Sequence, residues 1–192
     1  MRLGKQARVL TDNQVKTLRA YLTTTRHPER NEVAFLLSVK AGLRAKEIGG
    51  LTWAMVCDAE GRVGDHISLE SRIAKKGGGG VIPLHPELKT ALIALRKSQP
   101  LTATVLVSER RKPMQPQVIV NLFKGWFKAV SFDGCSSHSG RRTFITKLAR
   151  NVGRVGGSMR DVQALARHSS LAMTQRYVDC DAEAQRKAVA LI

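Results

Sequence analysis

Residues 136–177 read SSHSGRRTFITKLARNVGRVGGSMRDVQALARHSSLAMTQRY, and this stretch decides how the rest of the chain is understood. His138 and Arg141 stand three residues apart, so on a helix they share one face. Ser136 and Ser137 precede them as N-cap candidates. An imidazole and a guanidinium near a helix start make a place for an oxyanion, most naturally a phosphate. His168 and Tyr177 are nine residues apart, which on one unbroken helix would set them on opposite faces. Ser169 and Ser170 offer a fresh N-cap between them. The spacing therefore predicts a helix ending near His168 and a second starting just after it, which lets the two rings turn toward one point.

Two stretches nearer the N-terminus supply further cations. In AGLRAKEIGGLTW (41–53), Arg44 follows a glycine helix stop, and Glu47 sits one turn on, where its carboxylate can buttress the guanidinium. On its own this reads as a surface ion pair of little worth. SRIAKKGGGGVIPL (71–84) reads as a β-hairpin whose tip carries Lys75, Lys76 and four glycines, a tip able to bring a lysine to a phosphate or leaving oxygen. A nucleotide-binding P-loop is excluded, because the lysines precede the glycines and no GK[ST] follows.

Composition points the same way. Thirty-two basic against 15 acidic residues leave a net charge of +17 over 192 residues, far beyond what solubility needs, and imply a polyanionic partner. A membrane surface is the rival, but VAFLLSV (33–39) is far too short to span a bilayer, which takes ~20 residues. The start, MRLGKQARVL, is basic without an apolar core, so no secretory signal is read there. Cys57, Cys135 and Cys180 are few and widely spaced, which implies reduced thiols in a cytoplasmic protein and neither a disulfide frame nor a zinc site.

Taken in order, residues 1–10 form a loose basic arm. Thr11 to Gln14 is a capping-box pattern opening a helix through Val15, Leu18, Tyr21 and Leu22. A second helix covers 32–40 and stops at Gly42. Short strands are expected between Leu51 and Pro83, with Val56, Ile67, Leu69, Ile73, Val81, Ile82 and Leu84 as their apolar positions. A helix opens at His85-Pro86 and ends near Lys97, an extended piece covers ATVLVSE (103–109), and RRKP (110–113) is a basic turn. Another helix begins at Gln115 or Gln117, and residues 181–192 form an Ala-rich helix with apolar residues at its end. The expected fold is α+β, mainly helical, with one small antiparallel sheet.

Arg44 in AGLRAKEIGGLTW, Lys75 in the hairpin, His138 and Arg141 in HSGRRTF, His168 in LARHSS and Tyr177 in MTQRYV, in that order, resemble the tyrosine recombinase (phage integrase) family. The resemblance runs from about Thr11 over almost the whole chain. It implies that 11–192 is a recombinase catalytic domain, with 181–192 a helix that docks on a neighbouring subunit. It also implies that Tyr177 attacks a DNA phosphate to give a 3′-phosphotyrosine, without ATP, metal or other cofactor. Arg44 and Arg141 would clamp the non-bridging oxygens, and His138 and His168 would bond the same phosphate. Lys75, with Lys76 as its rival, would protonate the leaving 5′ oxygen, and Glu47 would orient Arg44. Lys76, Arg110, Arg111, Lys112, Arg142 and Arg167 are candidate DNA-backbone contacts.

The implied partner is double-stranded DNA, bound as a tetramer on paired sites by a protein that is a monomer when free, for integration, excision or inversion. DNA-bending proteins are accessory partners, no membrane is involved, and the implied location is the cytoplasm, at the nucleoid, for a bacterial or phage-encoded protein. Two departures stand out. The family usually carries glycine where this chain has Arg167, which implies either a different backbone turn or another cation near DNA. Only about ten residues precede the catalytic domain, where typical members have a further helical domain. A type IB topoisomerase-like enzyme and a catalytically silent DNA-binding regulator are the alternatives.

Overall fold

The computed structural model describes residues 6–74, 78–99, 102–177 and 189–190. The helix α1 (Asp12–Thr23) starts on the expected capping box, with the Thr11 hydroxyl accepting from the Gln14 amide and the Gln14 side chain returning to Thr11. The next, α2 (Pro28–Ala41), is buried along most of its length and ends at Gly42, whose φ of 64° is the left-handed geometry that glycine takes without strain. A Cβ at Gly42 would also lie 2.4 Å from the Phe144 ring. A short helix, α3 (Ala45–Gly50), follows immediately.

The sheet is smaller than the residue pattern suggests. Among the described residues only β1 (His66–Leu69) and β2 (Gly80–Pro83) form a sheet, antiparallel, with Ile67 opposite Ile82. Val56 instead follows a 3-10 turn at Trp53–Met55, and Ile73 lies in the turn after β1, packed on Gly50. Val56 is buried and its carbonyl accepts from the Gly64 amide beside the single Cys57–Val63 bridge, while Ile73 is partly buried against the core. The segment expected to be extended after residue 102 makes single bridges, Thr52 with Thr104 and Val107 with Pro113, the second closing the basic turn.

Helices resume with α4 (Pro86–Ser98) and α5 (Pro116–Ala129), whose Ile119, Phe123, Trp126 and Phe127 enter the core. Then come α6 (Ser139–Asn151), a 3-10 turn at Val152–Val155, α7 (Met159–Ala166) and α8 (Leu171–Gln175). The main core is built from α1 to α5 around Leu18, Phe35, Leu36, Leu92 and Phe123. A second, smaller cluster joins Ile145, Val162 and Ala166, with Phe144, Leu148 and Tyr177 packed against it. Residues 8–10, read from sequence as part of a loose arm, are tied down. Leu10 is buried, its amide donates to Thr143 Oγ1 at 2.8 Å, and the Arg8 amide donates to the Gly134 carbonyl. The arm's first five residues and, of the expected terminal helix, residues 181–188 and 191–192 lie outside the described residues.

α6 crosses α2 closely because Gly140 faces Ser38: a Cβ at Gly140 would stand 2.3 Å from Ser38 Oγ. This crossing carries Arg141, the next residue, into the space between the end of α2 and the end of α7.

Candidate active site

Arg141 is 97% buried, its residue exposure being 3%. Its Nη1 donates to the Gly42 carbonyl at 2.6 Å and its Nη2 to the Ala166 carbonyl at 2.5 Å. These carbonyls close α2 and α7, so the guanidinium sits at two helix C-termini, where the aligned peptide dipoles favour a cation. Burial, with Arg44 and Arg167 nearby, lowers its pKa to about 10, which leaves it charged at neutral pH.

Glu47 holds the other two arginines and is fully buried, which overturns the surface ion-pair reading. Its Oε1 accepts from Arg44 Nη1 at 2.9 Å, and its Oε2 accepts from the Arg44 amide at 2.8 Å and from Arg167 Nη2 at 2.7 Å. Two guanidinium groups thus share one carboxylate with a third, Arg141, close by, an excess of positive charge that suits an oxyanion.

Arg167 occupies the left-handed C-cap of α7 at φ 53°, ψ 47°. The turn is therefore the one glycine would make, at a cost of about 1 kcal/mol for a residue with a Cβ. Its side chain, expected as a cation near DNA, is instead turned inward and only 3% exposed.

His168 follows at once and is buried, its Nδ1 3.0 Å from Thr174 Oγ1, and its carbonyl accepts from Gln163 Nε2. Burial first, then Arg141, Arg44 and Arg167, lower its pKa to about 4, so the ring is neutral at physiological pH. The helix break predicted between His168 and Tyr177 is present, with Ser170 as the N-cap of α8. The His168 and Tyr177 rings stack with centroids 5.4 Å apart and planes inclined 28°. Arg142 lies over the other part of the Tyr177 environment, its guanidinium carbon 5.8 Å from the ring centroid, and Thr146 Oγ1 donates to the Tyr177 carbonyl.

Arg44, Glu47, Arg141, Arg167, His168 and Tyr177 thus come together. His138 does so less: it is itself the N-cap of α6, is exposed, and makes no side-chain cap bond. The serines cap differently from expectation, the Ser136 hydroxyl accepting from the His138 amide and the Ser139 hydroxyl from the Ser136 amide. Lys75 and Lys76 lie outside the described residues. On either side of them, Ala74 is buried, while Gly78 and Gly79 line a cleft of about 390 Å³ together with Arg44, Arg167 and His168. The exposed turn of Arg110, Arg111 and Lys112 is near the other end of α2, since Arg30 Nη1 donates to the Val107 carbonyl. That is about 20 Å, one helix length, from Gly42.

Sequence reasoning missed Thr174, Thr146 and Gln163, which hold the histidine and tyrosine in place. Thr174 lies three residues before Tyr177 on the short helix, but a buried threonine in that position reads equally well as core.

The fold, mainly helical with one small antiparallel sheet, is that of tyrosine recombinase catalytic domains. The chain belongs to the Phage integrase family, whose sequence profile matches residues 8–184. Among solved structures, the Tn1549 transposon integrase in complex with a circular intermediate DNA superimposes with a TM-score of 0.76 at 19% identity, over 97% of this chain and 66% of that one. XerA recombinase gives 0.74 at 23% identity, over 95% and 64%. A lambda integrase tetramer bound to a Holliday junction gives 0.72 at 21% identity, over 91% and 49%. The chain therefore spans about two thirds or less of the length of these relatives. No curated protein matches it at a significant level.

Proposed function

We propose that this chain is a site-specific DNA recombinase, or the catalytic part of one, that cuts and rejoins strands through a 3′-phosphotyrosine on Tyr177. The observation that carries the reading is the Tyr177 ring stacked on a neutral His168 beside Arg141 and beside two arginines, Arg44 and Arg167, that share one carboxylate. A nucleophile next to fixed cations is what attack on a phosphodiester requires.

In the first step Tyr177 Oη bonds to phosphorus and the bond to the 5′ oxygen breaks. The tyrosine proton leaves to solvent or to His138, and Lys75 or Lys76 gives a proton to the departing 5′ oxygen. Arg44 and Arg141 stabilise the charge on the non-bridging oxygens, and neutral His168 donates a hydrogen bond there. A 5′-hydroxyl from a partner strand reverses the step and completes exchange. Energy is conserved in the ester, so no cofactor enters. The substrate is duplex DNA, held by a tetramer on paired sites, with residues 181–192 docking on a neighbouring subunit.

A nicked suicide duplex carrying the target site tests this. The wild-type chain is expected to form a protein–DNA adduct stable to denaturant, and Tyr177→Phe to bind DNA but form none. An adduct with the Phe variant overturns the assignment. Joining to a second duplex separates recombination from mere relaxation of supercoils.

A further inference from the structure

Arg167 is an expensive residue for the fold. Its backbone is left-handed, where glycine sits without strain, and its buried Nε has no acceptor among the described residues. What such a side chain does for the site is the question.

Its contacts answer. The guanidinium takes Oε2 of Glu47 at 2.7 Å, leaving Oε1 for a single Nη of Arg44 at 2.9 Å. The aliphatic stem runs beside β2, where a Cβ at Gly80 would lie 3.8 Å from Arg167 Cδ. The residue therefore ties together the start of α3, capped by Arg44, the end of α7, which His168 follows, and the strand β2.

We propose that Arg167 is a positioning residue for strand cleavage. By occupying one oxygen of Glu47 it keeps Arg44 on a one-armed grip, with the rest of that guanidinium free for the scissile phosphate. Carboxylates and guanidinium groups prefer a two-armed fork. With Arg167 removed, Glu47 is free to take Arg44 in that fork, neutralising it and drawing it away from the substrate. Arg167 also adds one positive charge beside the cleft without itself reaching into solvent.

This rests on the recombinase reading, and the experiment separates the two. Single-turnover adduct formation at saturating suicide DNA is measured for Arg167→Met, Arg167→Lys and Arg167→Gly, beside DNA affinity and melting temperature. Met and Gly are expected to slow cleavage ~10- to 100-fold with affinity within about threefold of wild type, and Lys to restore much of the rate. In a Glu47→Gln background, Arg167→Met is expected to add little further loss, because both act through the same carboxylate. Wild-type cleavage by Arg167→Met overturns the inference. So does a loss of affinity with cleavage unchanged at saturation, which marks a direct DNA contact, or an undiminished loss in the Glu47→Gln background. A large fall in melting temperature for all three, with the folded fraction cleaving normally, assigns Arg167 to structure alone. No adduct from the wild-type chain overturns the recombinase reading, and this inference with it.

Discussion

Glu47 carries more of the site than its single charge suggests. A buried carboxylate between two arginines is tolerable because each of its oxygens is hydrogen-bonded, and removing it strands two cations at the cleft. Glu47→Ala is expected to lower stability by about 3 kcal/mol in denaturant unfolding, and to cut adduct formation further still. Glu47→Gln, which keeps the shape, should cost less. For His168 the sign of the pH effect is fixed by its depressed pKa of about 4 against an ordinary 6.5. As pH falls the unfolded chain takes up that proton first, so the stability associated with the neutral ring is intact above about 6.5 and is lost toward about 4. Its imidazole NMR signals should accordingly stay constant from pH 8 to about 5, where a free histidine would already have titrated.

The helices were legible in the sequence where capping and periodicity agreed. The capping box at Thr11, the stop at Gly42 and the break at Ser170 stand where the residues predict them. The sheet was less legible, because apolar residues such as the buried Val56 and the partly buried Ile73 lie in turns, and alternation alone does not tell a turn from a strand. Of the candidate site, Arg44, Arg141, His168 and Tyr177, singled out by the family resemblance, are brought close together by the fold. The inward turn of Arg167 was not legible, because the carboxylate that draws it lies 120 residues away. The crossing of α2 and α6 was equally hidden, resting on one glycine against one serine. Gly140→Ala should press on Ser38 and cost about 1–3 kcal/mol, read as a lower melting temperature. Because Arg141 is the next residue, cleavage by the folded fraction should fall as well.

Across the whole molecule, a net charge of +17 sets the expected behaviour toward DNA. Affinity for a duplex should fall on the order of 10³-fold between 50 and 200 mM salt, as measured by fluorescence anisotropy. A flat response removes DNA as the partner. The arginines split into two groups under such a test. Arg110, Arg111 and Arg142 are solvent-facing or half-exposed and available to release counterions, whereas Arg141 and Arg167 are committed to interior partners.

The two carbonyls that Arg141 grips come from Gly42 and Ala166, positions separated by most of the chain. A nascent or heat-loosened polypeptide cannot assemble that staple until both ends have docked. Under the proposed function, strand cleavage waits until α7 has closed against α2 and α6, and a product ending before Ala166, which also lacks Tyr177, is expected to form no adduct.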